Sequence, residues 1–197
     1  MGEKDRPIAG AWVFGPEGPE VRPFGYCFEG FQAQMIPEEM RSALARKAAS
    51  AESPRERAID VMFELQDHYG YMTDEAMEEA AGILGMTTLE LEELATFYDH
   101  IYRSPVGRYV IHVCDSAVCW MEGHQRIIDY LCERLQLTVG GTSPDGLFTL
   151  LPVCCIGYCD RAPAMMINRN VYGRLTREKI DRILDRLIEH SQFHETE

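Results

Sequence analysis

The sequence predicts an α+β protein in which a bundle of helices precedes a mixed α/β domain. Two observations support this prediction. In the first half of the chain, apolar residues recur at helical spacing. In the second half, short apolar runs typical of buried strands alternate with helical patterns. The chain has 197 residues, of which 46% are hydrophobic, and this is enough for one large core or two smaller ones.

Helices are expected to begin after Pro37. Residues 53–56 (Ser-Pro-Arg-Glu) predict a helix start with a capping box, and Gly70 is expected to end the helix that follows. Thr73 and Thr87 are expected to cap two further short helices, the second with a glutamate in the capping-box position. Short helices with one apolar face must pack on one another, so these segments predict a small bundle.

The second half of the chain has the order strand, helix, strand, strand, helix. The predicted strands cover residues 109–113, 147–152, 164–167 and 171–175, and the predicted helices cover residues 122–137 and 177–188. This order, with Pro163 close to a cluster of cysteines, is that of a thioredoxin-like α/β fold.

We therefore expect four parts along the chain. They are an irregular N-terminal extension over residues 1–36, a helical bundle over 37–105, the thioredoxin-like domain over 106–190 and a C-terminal tail over 191–197.

The charge and the apolar pattern exclude some classes of function. A net charge of −13 argues against nucleic acid binding, because phosphate recognition needs a basic surface. No apolar run is long enough to span a bilayer, and the N-terminus lacks the basic flank and apolar stretch of a secretory signal. We therefore expect an intracellular protein without direct membrane insertion.

Four cysteines in two pairs are the most informative feature of the sequence. Four residues separate Cys114 from Cys119, and three separate Cys155 from Cys159. Each pair begins where an apolar run ends, so two loops could bring four thiolates together. Four thiolates can hold a [2Fe–2S] cluster, which needs four protein ligands. Cys154 directly precedes Cys155, and spacing alone does not decide which of the two is a ligand.

Two other kinds of cysteine chemistry remain open at this point. A structural zinc site uses similar paired spacings. A thiol oxidoreductase would suit the predicted fold, but it normally uses Cys-x-x-Cys, and this spacing is absent from the sequence. The pattern favours a [2Fe–2S] cluster over both.

Cys27 and Cys132 stand alone in the sequence and are interpreted as ordinary thiols. His112 is interpreted as a structural residue of a buried strand.

Three segments make the chain recognisable. They are ATFYDHIYRSPVG at residues 95–107, CDSAVC at residues 114–119 and LLPVCCIGYCD at residues 150–160. Together they resemble the thioredoxin-like [2Fe–2S] subunits of respiratory NADH:quinone oxidoreductase (the 24-kDa or E subunits of complex I) and their relatives in NAD-linked hydrogenases and formate dehydrogenases. The resemblance covers about residues 37–190 and is closest to the bacterial type, in which the second motif also has a doubled cysteine.

This resemblance implies a cluster site and a partner. By position in the motifs, the ligands of one [2Fe–2S] cluster would be Cys114, Cys119, Cys155 and Cys159, and Cys154 would be a neighbour that does not bind iron. The cluster would exchange one electron with FMN on a partner flavoprotein that also binds NADH, so this chain would have no NADH site of its own. The family further implies membership of a peripheral arm on the cytoplasmic face of the inner membrane.

The charges around the cysteines bear on the reduction potential. An acidic subunit raises the cost of adding an electron and is expected to lower the potential. Arg108 and Arg161, which lie close to the cysteines in sequence, are expected to oppose this effect.

Overall fold

The computed structural model of the protein describes residues 36–194. Its helices and strands follow in the order α1 Glu38–Ala49, α2 Ala58–Tyr69, α3 Asp74–Leu84, α4 Thr88–Phe97, β1 Tyr109–Cys114, α5 Ala117–Met121, α6 His124–Leu135, β2 Phe148–Val153, β3 Met165–Ile167, β4 Asn170–Tyr172 and α7 Arg177–His194. Short 3-10 turns cover Pro54–Arg57 and Cys159–Arg161. Apart from residue 36, the predicted N-terminal extension lies outside the described residues, as do the last three residues of the predicted tail.

Helices α1 to α4 form the predicted bundle. Two of its helix starts are capped as expected: the Thr73 hydroxyl oxygen accepts a hydrogen bond from the N–H of Ala76 at 3.1 Å, and Thr87 shares a capping box with Glu90. Gly70 ends α2 in the left-handed region with φ of 77°. The caps fix where each short helix begins, so the apolar faces meet in one core. Its fully buried members include Leu44, Val61, Met62, Leu65 and Leu91.

The predicted capping box at residues 53–56 is wrong. The side chain of Ser53 makes no capping hydrogen bond, and α2 begins only at Ala58. Instead, the N–H of Glu56 donates to the carbonyl of Ser53 at 3.0 Å. This i→i+3 bond makes a tighter 3-10 turn.

The four strands form one mixed sheet in the order β2-β1-β3-β4. β1 and β2 are parallel, whereas β3 is antiparallel to both β1 and β4. Parallel neighbours need a crossover connection, and α5 and α6 provide it. Helices α6 and α7 pack together with the sheet in a second core, whose fully buried members include Tyr109, Ile111, Leu131, Phe148 and Leu184. The predicted thioredoxin-like order of elements is confirmed.

Some element boundaries differ from the prediction. The expected helix over residues 122–137 is α6, which is shorter and covers His124–Leu135, and the short α5 before it was not predicted. Gly123, with a left-handed φ of 87°, separates α5 from α6. Strand β4 ends at Tyr172, three residues earlier than expected, and α7 continues to His194.

Contacts join α2 to the segment that leads from α4 to β1 and to the turn between β3 and β4. The buried side chain of Gln66 donates to the carbonyl of His100 at 2.8 Å and accepts from the N–H of Tyr102 at 2.6 Å. At the surface, Arg169 and Asp67 form an ion pair at 3.2 Å. Within residues 36–194, no helix is long and apolar enough to cross a lipid bilayer.

Candidate metal centre

The four predicted ligands lie at one end of the sheet. Cys114 is the last residue of β1, and Cys155 lies two residues beyond the end of β2. Cys159 begins the 3-10 turn that follows. Cys119 lies in α5, so this ligand is on a helix and not in the expected loop. Because β1 and β2 are parallel neighbours, their carboxyl ends meet at the same edge of the sheet.

The structure brings the two pairs of thiols into contact. The sulfurs of Cys155 and Cys159 are 3.4 Å apart. The Cys114 thiol lies close enough to both Cys119 and Cys155 to influence the pKa of each, and thus links the first pair to the second. Cys114 and Cys119 are buried, whereas Cys155 and Cys159 are exposed. The site therefore has a protected side and an open side.

Main-chain N–H groups are directed at the sulfurs. The N–H of Gly157 donates to Cys155, and this bond is the main reason why the pKa of the Cys155 thiol is lowered. The N–H of Ala164 donates to Cys119, but burial dominates there and raises the pKa of Cys119 to about 11. The pKa of Cys159 is raised, first through its hydrogen bond with Cys155 and then through burial. N–H donors of this kind stabilise negative charge on sulfur.

The cysteines outside the four have different surroundings. Cys154 is exposed, and within the described part of the chain it makes no hydrogen bond to another cysteine. Cys132 is half-buried in α6 against the second core, which agrees with an ordinary thiol. Cys27 lies outside the described residues.

The arrangement fits a two-iron cluster. The four thiols form two neighbouring pairs, and four thiolates is the ligand number that a [2Fe–2S] cluster needs. Apolar groups complete the surroundings: Ala164 is buried with the first pair, and Ile156, Tyr158 and Ala162 pack against it.

The backbone at Gly173 packs closely behind the second cysteine pair, which was not predicted from the sequence. At Gly173, directly after β4, an added Cβ would lie 2.6 Å from the carbonyl oxygen of Arg161 and 2.8 Å from the ring of Tyr158. The backbone of residue 173 is thus packed against the segment that contains Cys159. Gly173 lies in the middle of the predicted strand over residues 171–175, and a glycine inside a strand is a known signal of close backbone approach.

His112 has the structural surroundings that were predicted for it. Its ring is fully buried on β1, with Nε2 3.5 Å from the hydroxyl oxygen of Tyr102 and an edge-to-face contact with His100 at 4.5 Å. Burial lowers the pKa of His112 to about 4. The ring is therefore neutral near pH 7 and belongs to the contact between sheet and bundle.

Known proteins with similar sequences include members of a [2Fe–2S] family, which agrees with a cluster site at these cysteines. Residues 44–188 match the model of the thioredoxin-like [2Fe–2S] ferredoxin family. The chain is 37% identical to the E subunit of the NADH-quinone oxidoreductase of Pseudomonas aeruginosa, over 77% of this chain and 91% of that protein. It is 41% identical to the corresponding Escherichia coli K12 protein, over 74% of this chain and 88% of that protein.

A solved structure shares the fold. The NAD+-reducing [NiFe]-hydrogenase in its air-oxidized state superposes with a TM-score of 0.57 at 24% identity, over 66% of this chain. This chain corresponds to only 23% of the hydrogenase chain, so the likeness concerns the fold alone. The family match covers most of the sequence, and the chain belongs to the thioredoxin-like [2Fe–2S] ferredoxin family.

Proposed function

We propose that this chain is the electron-transfer subunit of an NADH-quinone oxidoreductase, and that Cys114, Cys119, Cys155 and Cys159 hold its [2Fe–2S] cluster. The observation that carries the proposal is that the two cysteine pairs lie next to each other at one end of the sheet, with Cys114 close enough to Cys155 to influence its pKa. The relatives support it, because they align along 88% and 91% of their own length.

The residues around the site supply what electron transfer needs from the protein. When bound, a [2Fe–2S] cluster accepts and releases single electrons. The buried side with Cys114 and Cys119 keeps water away, and the N–H groups of Gly157 and Ala164 stabilise the negative charge that accompanies reduction. The exposed side with Cys155 and Cys159 leaves a short path to another protein.

The electron partner in this proposal is FMN on a flavoprotein subunit that binds NADH. We assign the helical bundle over residues 37–105 to contacts with that subunit and the region over residues 106–190 to the cluster. The separate apolar cores of these two regions support the division. Further subunits of a peripheral arm would hold the chain at the cytoplasmic face of the membrane.

Co-purification with the flavoprotein subunit tests the function. The full chain should bind that subunit, and addition of NADH to the complex should produce the EPR signal of a reduced [2Fe–2S] centre. The same complex with Cys155→Ser is the control and should lose or alter the signal. A cluster that forms in the chain but is never reduced by NADH in the presence of the flavoprotein would contradict the proposal.

A corresponding subunit of an NAD-linked hydrogenase or formate dehydrogenase is the second candidate. Its support is the shared fold with the NAD+-reducing hydrogenase. The subunits that co-purify with the full chain identify the host complex. The activity of the purified complex then shows whether it is a quinone reductase, a hydrogenase or a formate dehydrogenase, because these enzymes act on different substrates.

A further inference from the structure

Three arginines and a lysine gather next to the turn that begins at Cys159, although the chain as a whole carries a net charge of −13. This cationic cluster consists of Arg161, Arg174, Lys179 and Arg182, and the three arginines all act electrostatically on Lys179. We propose that the cationic cluster raises the reduction potential of the metal centre. The inference rests on the proposed [2Fe–2S] site.

Arg161 is fixed next to the ligand loop. It lies two residues after Cys159, in the same 3-10 turn. Its guanidinium donates to the hydroxyl oxygen of Tyr158 at 3.1 Å and lies over the ring of that residue at 5.4 Å. These contacts hold the positive charge close to the exposed cysteine pair.

Backbone contacts bring the other cations to the same loop. The N–H of Arg174 donates to the carbonyl of Arg161 at 2.5 Å. The ammonium group of Lys179, in the first turns of α7, donates to the carbonyl of Gly173 at 2.5 Å. Gly173 is the residue whose backbone packs against Arg161. The end of β4 and the beginning of α7, with the cations that they carry, therefore lie against the segment that contains Cys159.

Carboxylates cancel little of this charge. Within the described residues, none lies at ion-pair distance from Arg174, Lys179 or Arg182, and Arg161 pairs only with the exposed Asp160 at 3.5 Å. Most other arginines in the bundle pair with an acidic residue, as Arg41 does with Glu79 at 2.7 Å. The cationic cluster is therefore a local positive field in an acidic protein.

The positive charge of the cationic cluster determines the direction in which the reduction potential shifts. Reduction adds one electron, and nearby cations stabilise the added negative charge through Coulomb attraction. The attraction between exposed charges weakens as salt screens it. Asp160, directly after Cys159, has the opposite effect, and its charge also contributes to the raised pKa of Cys159.

An EPR-monitored redox titration of the full chain with its cluster, at low ionic strength, tests the inference. Arg161→Gln, Arg174→Gln and Arg182→Gln should each shift the potential to a more negative value, and the triple variant should shift it further than any single change. Asp160→Asn should shift it to a more positive value. Lys179 is left unchanged because its ammonium group holds the backbone of Gly173.

Two controls make the result specific. Arg46→Gln removes the same charge from exposed α1, where Arg46 has no carboxylate partner among the described residues, and it should leave the potential unchanged. The shift in the triple variant should also shrink as salt concentration rises.

An unchanged potential in the triple variant, with iron and sulfide content intact, would overturn the inference. If that variant instead lost affinity for the flavoprotein at an unchanged potential, the cationic cluster would be a docking surface and the inference would again be wrong. Absence of iron and sulfide from the wild-type chain would refute the proposed function itself, which is a separate outcome.

Discussion

The N–H of Cys114 donates a hydrogen bond to the carbonyl of Ala164 at 3.1 Å. The N–H of the same alanine donates to the sulfur of Cys119. One residue between Pro163 and β3 thus connects both members of the first cysteine pair to the sheet. Both interactions are made by main-chain groups of Ala164, whose side chain is buried with the same two cysteines.

Serine substitutions test the ligand assignment. Cys155→Ser and Cys159→Ser should each lose the cluster or change its EPR spectrum, because a hydroxyl is a poor replacement for a thiolate ligand. Cys154→Ser should retain both the iron content and the spectrum, because Cys154 makes no contact with the other thiols in the described structure. If all three variants retained an unaltered cluster, the ligand set would be wrong.

Gly173→Ala tests the close approach behind the ligand loop. The new methyl group would lie 2.6 Å from the backbone oxygen of Arg161, so the loop has to move. We expect a loss of about 1–3 kcal/mol in the free energy of unfolding and a lower cluster content, measured by urea denaturation and iron analysis.

Gly82→Ala is the matched control for this substitution. Gly82 lies in α3 with no atom within 4 Å of an added Cβ. Alanine favours helix over glycine by about 1 kcal/mol, so this variant should be more stable and keep its cluster. Equal effects of the two substitutions would show that the packing at Gly173 does not matter.

Gln66→Ala tests the contact between α2 and the segment that leads from the bundle to β1. The buried amide satisfies the carbonyl of His100 and the N–H of Tyr102. Its removal leaves two buried main-chain groups without their partner, at a cost of about 2 kcal/mol or more in unfolding free energy. The exposed Gln125, which bonds only Asp129 at 2.8 Å, is the control. Gln125→Ala should change stability by no more than about 0.5 kcal/mol.

The capping box of α4 predicts a pH dependence. Hydrogen bonds from the N–H of Thr87, together with Arg55, lower the pKa of Glu90 to about 2 from its usual 4.5. A lowered folded-state pKa stabilises the protein above pH 4.5, and this contribution disappears as the pH falls towards 2. The difference in urea stability between wild type and Glu90→Gln should therefore be present near pH 6 and shrink below pH 4.5.

A second variant, Thr87→Ala, separates the contribution of the helix cap to stability from that of the Glu90 charge. Thr87→Ala removes the hydroxyl that accepts the N–H of Glu90 and should cost about 1 kcal/mol at neutral pH. A stability difference between wild type and Glu90→Gln that stayed constant from neutral to acid pH would contradict the pH prediction.

Local signals in the sequence were sufficient for part of the fold. The caps at Thr73 and Thr87 use residues three positions apart, so the sequence contains all the partners. Ser53 shows the same signal, but Glu56 bonds backbone to backbone there and forms a 3-10 turn. The short α5 was not predicted, because five residues are too few to show a helical period.

The cysteine spacing predicted that both pairs lie at strand ends, but not how the pairs meet. The burial of Cys119 in α5 and the approach of Gly173 depend on residues far apart in the chain. The cationic cluster is likewise assembled by tertiary structure: Arg161 was identified from sequence, whereas Arg174 and Arg182 become its neighbours only through the packing of β4 and α7.

The proposed function requires a [2Fe–2S] cluster held by Cys114, Cys119, Cys155 and Cys159. The decisive measurement is visible absorption and EPR of the purified, reduced full chain, together with iron, zinc and acid-labile sulfide analysis. We expect a coloured protein with two irons and two sulfides per chain and an EPR signal on reduction. A colourless protein that contains zinc and no sulfide, with no signal on reduction, would contradict it.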